Sequence, residues 1–519
     1  MHTLNLLLPI LHLYFIPCPS LASTLSADDP YALLSSAIVD RIRSDPAASP
    51  SASPASLRRA LKSLSSAQAT LKGIDGASHE LYQRTHKSDA AELKEGEAPT
   101  GRATRSAARL GCVADGLFAA ELCELSERPE LIALETNEEI DGGEGPGAGD
   151  DTLSAGGGRD VWLNVTVRAD AVDALPINVL VLHEPMYDGG AGLTHGGIDG
   201  VLERERRPPR GRILVVLRDP HRNHLASTVE ALDVEPTRLS FGPSRSASVN
   251  GPLHAAAGAV LDTIRPVLKR AEERAIGEHD CSASGESPSN DQDEDEPAAR
   301  SAPPFAIHFV GRSLAGGVAG LAACILDGRL PLLVAEERGQ DDEGGVSLFG
   351  YGRERSSAVA LGPPPCLSRS VKADFVTSVI HGDDAICRTT RDSLDRLCRR
   401  AKRAMKGGVL GAKMSWMNSA ASLTISGVKT YAKGSKEEGC TLSLPGKAYL
   451  IRPRRYEGSS IHEVSSSAGK GKIRSAILWQ LNDVLLSRSL WRHHALDAYI
   501  KSLDQVQLRT FKASNAYNE

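Results

Sequence analysis

The stretch from Phe305 to Leu321 constrains this chain more than any other part of it. Phe305-Ala306-Ile307-His308-Phe309-Val310 is an apolar run of strand length, and Gly311-Arg312-Ser313-Leu314-Ala315 follows at once. Gly316, Gly317, Ala319 and Gly320 then open a helix of small residues. A Gly-x-Ser-x-small turn between a buried strand and a helix thrusts its serine into a strained, exposed backbone position. The residues two places either side must be small to avoid collision there. Such a serine is a candidate nucleophile. The N–H of Leu314, at the start of the helix, would face a developing oxyanion with both a hydrogen bond and the helix dipole.

The rest of the sequence supplies a scaffold for that turn. Val161 to Val167, Ile177 to Leu182 and Ile213 to Leu217 are β-branched or Leu-rich runs bounded by Gly, Pro and charge, and read as strands. Leu253 to Arg274 has helical spacing, as do Leu57, Leu61, Leu64 and Leu71 and the region from Thr104 to Leu125. These earlier helices, residues 55–141, form a helical N-terminal region that caps a larger core. The Gly/Asp-rich run from Gly142 to Gly158 ends it. Residues 277–304, with Asp291 to Glu296 at their centre, have the composition of a disordered acidic insertion, and Gly339 to Ser356 looks like a second insertion. A calcium-binding or partner-binding role for the acidic segment is the alternative to a solvated surface insertion.

Compartment is read from the first residues. Leu6 to Ile16 is an almost unbroken apolar run closed by Pro17 and Pro19, and Ser20-Leu21-Ala22 suits signal peptidase. Residues 1–22 are expected to be a secretory signal, with an uncleaved membrane anchor as the alternative, and residues 23–54 a flexible tether. Of the nine cysteines, Cys18 falls in the signal and the other eight could pair in an oxidising lumen. Cys324, in an apolar helical run, reads as a buried free thiol. No spacing matches a Cys/His metal site, so no structural zinc, no other metal and no cofactor is expected. Asn164-Val165-Thr166 is a glycosylation sequon. Lys+Arg 60 against Asp+Glu 65 gives a net charge of -5, which leaves no global basic field for a nucleic-acid partner.

Four blocks carry a family resemblance. Gly311-Arg312-Ser313-Leu314-Ala315-Gly316-Gly317-Val318-Ala319 resembles the Gly-His-Ser-Leu-Gly-Gly-Gly-Val-Ala of fungal-type (class 3) lipases, in particular their diacylglycerol lipase branch. Ala360-Leu361-Gly362-Pro363-Pro364-Pro365-Cys366-Leu367-Ser368 is similar to that branch's strand-ending Phe-Gly-Pro-Pro segment. Phe375-Val376-Thr377-Ser378-Val379 through Asp384 to Arg388 is similar to its Phe-Val-Thr-Ser-Val block, where the catalytic Asp stands four residues before an Arg. Pro445-Gly446-Lys447-Ala448 and Leu490 to Tyr499 look like its Pro-Gly hairpin and closing Asp-His segment. The resemblance spans roughly residues 160–510. It implies an α/β class, an α/β-hydrolase fold with an N-terminal helical extension and disordered insertions. It also implies ester hydrolysis on acylglycerols, diacylglycerol or triacylglycerol, at a membrane or droplet surface.

Carried over position by position, the resemblance makes Ser313 the nucleophile, Asp384 the orienting acid and His494 the general base. A serine hydroxyl needs an imidazole to take its proton, and a carboxylate to hold that imidazole in the right tautomer. Asp383 could take the acid role, though strand alternation points it the other way. The choice of His494 over His493 rests on the resemblance alone. One departure touches the oxyanion hole. The family's strand equivalent to Ile213 to Leu217 ends in Arg-Gly-Thr or Arg-Gly-Ser, and this chain has Arg218-Asp219-Pro220. Proline has no N–H to donate. His221 would supply the second donor, beside Leu314, if the turn is one residue longer. A catalytically impaired lipase-fold protein that binds lipid or a partner, and an esterase or acyltransferase on the same scaffold, are the competing functions. Residues 394–406 form a basic amphipathic helix, read either as a solvated face or as a peripheral membrane contact.

Overall fold

The computed structural model describes residues 30–43, 53–69, 100–126, 153–155, 159–168, 175–185, 211–220, 225–240, 246–283, 305–331, 356–408, 411, 414, 442–454, 458–464 and 483–515. Its helices are α1 (Pro30–Arg43), α2 (54–69), α3 (Thr100–Ser126), α4 (Leu225–Leu232), α5 (Gly251–Ala283), α6 (Leu314–Leu326), α7 (391–408) and α8 (Leu496–Asn515). Its strands are β1 (Leu153–Ala155), β2 (Arg159–Val167), β3 (Ile177–Pro185), β4 (Gly211–Arg218), β5 (Pro236–Ser240), β6 (Ser246–Asn250), β7 (Phe305–Arg312), β8 (Ser356–Leu361), β9 (Leu367–Ser368), β10 (Val376–His381), β11 (Leu442–Ser443), β12 (Lys447–Arg454) and β13 (Gly458–Val464).

Nine of these strands make one sheet in the order β1-β2-β3-β4-β7-β8-β10-β12-β13, and β11-β9-β6-β5 make a smaller one. The middle of the large sheet, β4 through β12, is parallel, and both flanks are antiparallel. A parallel strand must be covered on both faces, and its sequence shows why this one is. Along β3 and β4, Val179, Val181, Ile213 and Val215 join the core under α5 and α6, while Leu180, Leu182, Leu214 and Val216 join the core under α3 and α8. Alternation at period two sends each set to its own layer. The result is a three-layer α/β arrangement with β7 at its centre, as the apolar run 305–310 predicted.

Small residues let α6 lie against the sheet. A Cβ on Gly317 would meet Leu253 and Pro364 at 3.2 Å, and one on Gly320 would meet Pro445 at 2.9 Å. All of α6 is buried, Cys324 included, and Cys112, Cys123, Cys324, Cys366, Cys387 and Cys398 are buried and in no disulfide. Asn164 of the sequon is exposed on β2.

Several expectations are corrected. The segment 23–54 contains α1, whose Tyr31, Leu34, Ile38 and Ile42 are buried; three- and four-residue spacing makes them one stripe, so this part is no tether. Within the helical region 55–141, residues 55–69 and 100–126 are described. Its helix α3 is one of the layers on the sheet, with Gly116 against Leu503 and Val379. The acidic insertion begins later than 277, because α5 continues to Ala283. In α7 the apolar face, Leu394, Leu397, Cys398, Ala401 and Ala404, shares one core with α1 and α2, while Arg399, Arg403 and Lys406 are exposed. Arg396 and Arg400 of α7 pair with buried Asp483 at 2.8 and 3.0 Å. The signal segment 1–22, residues 284–304 of the acidic insertion and 339–355 of the second one lie outside the described residues. No helix among the described residues is long and apolar enough to cross a membrane.

One buried group makes the core pH-sensitive. Burial pushes the His254 imidazole in α5 down to about 4, against a smaller upward pull from the Pro331 carbonyl. The unfolded chain therefore binds the proton first as pH falls. This contribution to stability is complete above pH ~6.5 and is lost between there and pH ~4, amounting to roughly 3 kcal/mol. Urea melts of the wild type and His254→Leu at pH 7 and pH 4 should show the wild type losing about that much more than the variant. Equal losses would remove His254 as the cause.

Candidate active site

The candidate site is built where parallel strands end. At the carboxyl end of β7 the chain turns at Ser313 with φ 60° and ψ -133° and enters α6 directly. Ser313 is the only non-glycine residue with positive φ among the described residues. That backbone costs on the order of 1–3 kcal/mol and persists because its surroundings dictate it. The Ser313 N–H donates to the Leu361 carbonyl at the end of β8 (2.9 Å), and Gly316 and Gly317 N–H donate to the Ser313 carbonyl. A Cβ on Gly311 would lie 2.5 Å from the Ala315 carbonyl oxygen, so glycine is required two residues before the serine. The N–H of Leu314, first residue of α6, belongs to the helical turn whose amides lack intrahelical acceptors.

Asp384 stands three residues past β10 and is fully buried. Its Oδ2 accepts from His494 Nδ1 (2.9 Å) and from the Tyr499 hydroxyl (2.6 Å), and its Oδ1 accepts from the Ile386 N–H (2.9 Å). Burial works to raise its pKa. The charge and hydrogen bond of His494, the Tyr499 hydroxyl and the Arg388 guanidinium outweigh it and hold the carboxyl below its usual value. An ionised carboxylate only accepts, so Nδ1 of His494 carries the proton and Nε2 is left free as a base. Arg388, 1% exposed, donates to the backbone carbonyls of Asp384 and Gly382 and fixes the loop that carries the acid.

The two ambiguities of the sequence separate cleanly. His493 faces the other way: its Nδ1 accepts the Asp383 N–H at 2.9 Å, and its carbonyl accepts from His381 Nδ1 at 3.1 Å. Gly382, φ +48°, makes room for that ring, since a Cβ there would come within 2.5 Å of His493 Nδ1. His493 thus ties the acid loop to the 3-10 turn Arg492–His494, and His494 alone reaches Asp384.

Ser313 belongs to the same edge. Arg312 Nη1 donates to the His494 carbonyl at 3.0 Å, and Gly362, the residue after Leu361, sits against Asp384, Tyr499 and His494. The Ser313 hydroxyl makes no hydrogen bond to a described residue; such contacts commonly tighten only on substrate binding. A pocket at Ser313 is lined by Leu217, Arg218 and Asp219 from the end of β4, and by Cys123 and Ser126 of α3. The turn after Leu217 therefore does approach the serine. Asp219 is buried there, and Arg218 Nη1 holds the Ser126 carbonyl at 2.6 Å. His221 lies outside the described residues. Tyr499 and Gly362 were not singled out from the sequence as site residues. A tyrosine five positions after His494, at the first turn of a helix, carries no signal of its own.

No protein-family model matches the chain, and no curated protein matches it. Among solved structures it is similar to a deletion mutant of the Rhizomucor miehei lipase propeptide complex, at 12% identity and TM-score 0.35, over 75% of this chain and 80% of that one. The native form of that complex matches at 11% identity and TM-score 0.30, over 65% of this chain and 69% of that one. A lipase from Rhizopus microsporus var. chinensis matches at 14% identity and TM-score 0.24, over 43% of this chain and 54% of that one.

Proposed function

We propose that the protein is a serine ester hydrolase of the lipase type, with an α/β-hydrolase fold, acting on acylglycerols through an acyl-enzyme on Ser313. The observation that carries this reading is the serine at φ 60° between β7 and α6, on the same sheet edge as buried Asp384 and its partner His494. In the first half-reaction His494 Nε2 takes the Ser313 hydroxyl proton while Oγ attacks the acyl carbonyl, giving a tetrahedral oxyanion. The imidazolium, stabilised by Asp384, then gives its proton to the departing glyceride oxygen as the ester bond breaks. Water repeats the sequence on the acyl-enzyme and releases the fatty acid. Leu314 N–H is the first oxyanion donor, and Pro220 leaves the place of the second without an N–H unless the turn is one residue longer and brings in His221. A secretory route through residues 1–22 belongs to the same reading, as does work at a lipid surface.

A second reading, an impaired lipase-fold protein that binds lipid or a partner, draws on one observation: buried Asp219 lines the pocket of Ser313, where negative charge opposes an oxyanion. One experiment separates the two. The purified protein is treated with a fluorophosphonate ester probe beside Ser313→Ala and assayed on short-chain esters. The hydrolase reading expects stoichiometric labelling of the wild type, none of the variant, and turnover lost with the label. An unlabelled, folded wild type would support the binding protein instead.

A further inference from the structure

We propose that Tyr499 is a positioning residue that tunes the acid of this site: its hydroxyl shares Asp384 Oδ2 with His494 and thereby sets how readily the carboxylate–imidazole pair takes up a proton. This rests on the hydrolase reading of Ser313, Asp384 and His494. Tyr499 is fully buried in the first turn of α8, and a phenol so buried must find a partner. Its hydroxyl donates to Asp384 Oδ2 at 2.6 Å and accepts the His381 N–H at 3.2 Å. An O–H to carboxylate contact of that length is in the short, charge-assisted class. The close approach is protected by Gly362, φ +59°, where a Cβ would lie 2.8 Å from both Asp384 Oδ2 and the Tyr499 hydroxyl oxygen. Four elements, the ends of β8 and β10, the 3-10 turn and α8, therefore converge on one carboxylate oxygen.

A ring that merely filled this core would serve as well without its oxygen. With it, negative charge on Oδ2 is divided between two donors, so the carboxylate grips the imidazolium of His494 less strongly. Remove the hydroxyl and the carboxylate becomes more basic. The coupled pair then takes up its proton at higher pH. The other titratable or charged groups facing the pair are Arg388 and Cys387 on the acid loop, Asp383 beside it, and His381 and His493, whose rings meet edge to face. Losing the oxygen also removes the hydrogen bonds that Cys387 and the His381 N–H make to it, which is why the fluorinated residue, keeping both, is the second arm of the test. Tyr499 itself stays protonated throughout, since burial and the neighbouring Asp384 push its phenol well above the usual value.

The test is the pH dependence of the rate at which the fluorophosphonate probe labels Ser313, which reads the base of the free protein. Wild type is compared with Tyr499→Phe and with 3-fluorotyrosine incorporated at position 499, a stronger donor of nearly the same shape. Tyr499→Phe should move the acid limb up by about one pH unit, and the fluorinated residue should move it down. Shifts of opposite sign are beyond a structural role and support the proposal. If Tyr499→Phe fails to fold, the fluorinated protein decides alone. Profiles that superimpose on the wild type, with Ser313 still labelled, overturn the role of Tyr499 and leave the hydrolase reading standing. A wild type unlabelled at Ser313 overturns both.

Discussion

Asp384→Asn should abolish nearly all turnover, by a factor of about 10⁴, in a protein that remains folded. The reason lies in the donors around the carboxylate. Oδ1 receives the Ile386 N–H, and Oδ2 receives His494 Nδ1 and the Tyr499 hydroxyl. An asparagine has one oxygen to offer. With that oxygen toward Ile386, its amide N–H₂ faces His494, which must present an unprotonated Nδ1 and carry its proton on Nε2. The imidazole is then in the tautomer that cannot accept from Ser313. Flipped, the amide leaves the Ile386 N–H facing another N–H₂ inside the core, at a cost of about 1–3 kcal/mol. Turnover of a short-chain ester and the rate of probe labelling should fall together, with unchanged far-UV circular dichroism. A variant within tenfold of wild type would mean that Asp384 does not orient the base.

The opposite direction is expected at the end of β4. Replacing Asp219-Pro220 by Gly-Thr restores a backbone N–H at 220 and withdraws a buried carboxylate from the pocket of Ser313. One oxyanion donor is worth roughly 10²–10³ in rate, so kcat should rise toward that range while KM stays nearly constant. The restored bond strengthens mainly in the transition state, which is what divides its effect between the two constants in this way. Losing the rigid proline costs the fold roughly 0.4–1 kcal/mol, too little to mask the gain. A folded variant no faster than wild type would mean that the hole is completed elsewhere or that the chain binds without turning over.

The parts of the molecule legible in the sequence share one property: their information is local. Gly311 and Gly316 are fixed by collisions within five residues, so strand, turn and helix could be read from Phe305 to Leu321. Alternation along Ile177 to Leu182 and Ile213 to Leu217 likewise gave strands, though not that β4 pairs β3 on one side and β7 on the other. Elsewhere one pattern had two physical causes. The stripe of α7 is what an interfacial helix would show, and it is equally what a helix shows when Leu34, Ile38 and Leu61 cover it. Pro, Ala and Ser in residues 44–54 spoke for a tether, and the four buried residues of α1 just before them were passed over. At the site, Asp384 and His494 came from ordered motifs. The separation of His494 from His493 depends on ring orientation, and the role of Gly362 on what a missing methyl would strike; neither is written in residue spacing.

Helix α2 has a bearing on how this protein comes to be folded at all. Gln68 holds the backbone on both sides of Leu485, donating to the Val484 carbonyl and accepting the Leu486 N–H, across 416 and 418 positions of sequence. The strand of chain it grips runs on within ten residues to His494. Closing so wide a loop costs entropy before any contact rewards it, so this contact is expected late in assembly. On the hydrolase reading, a chain that stops short of residue 484 has Ser313 and Asp384 and lacks His494 altogether.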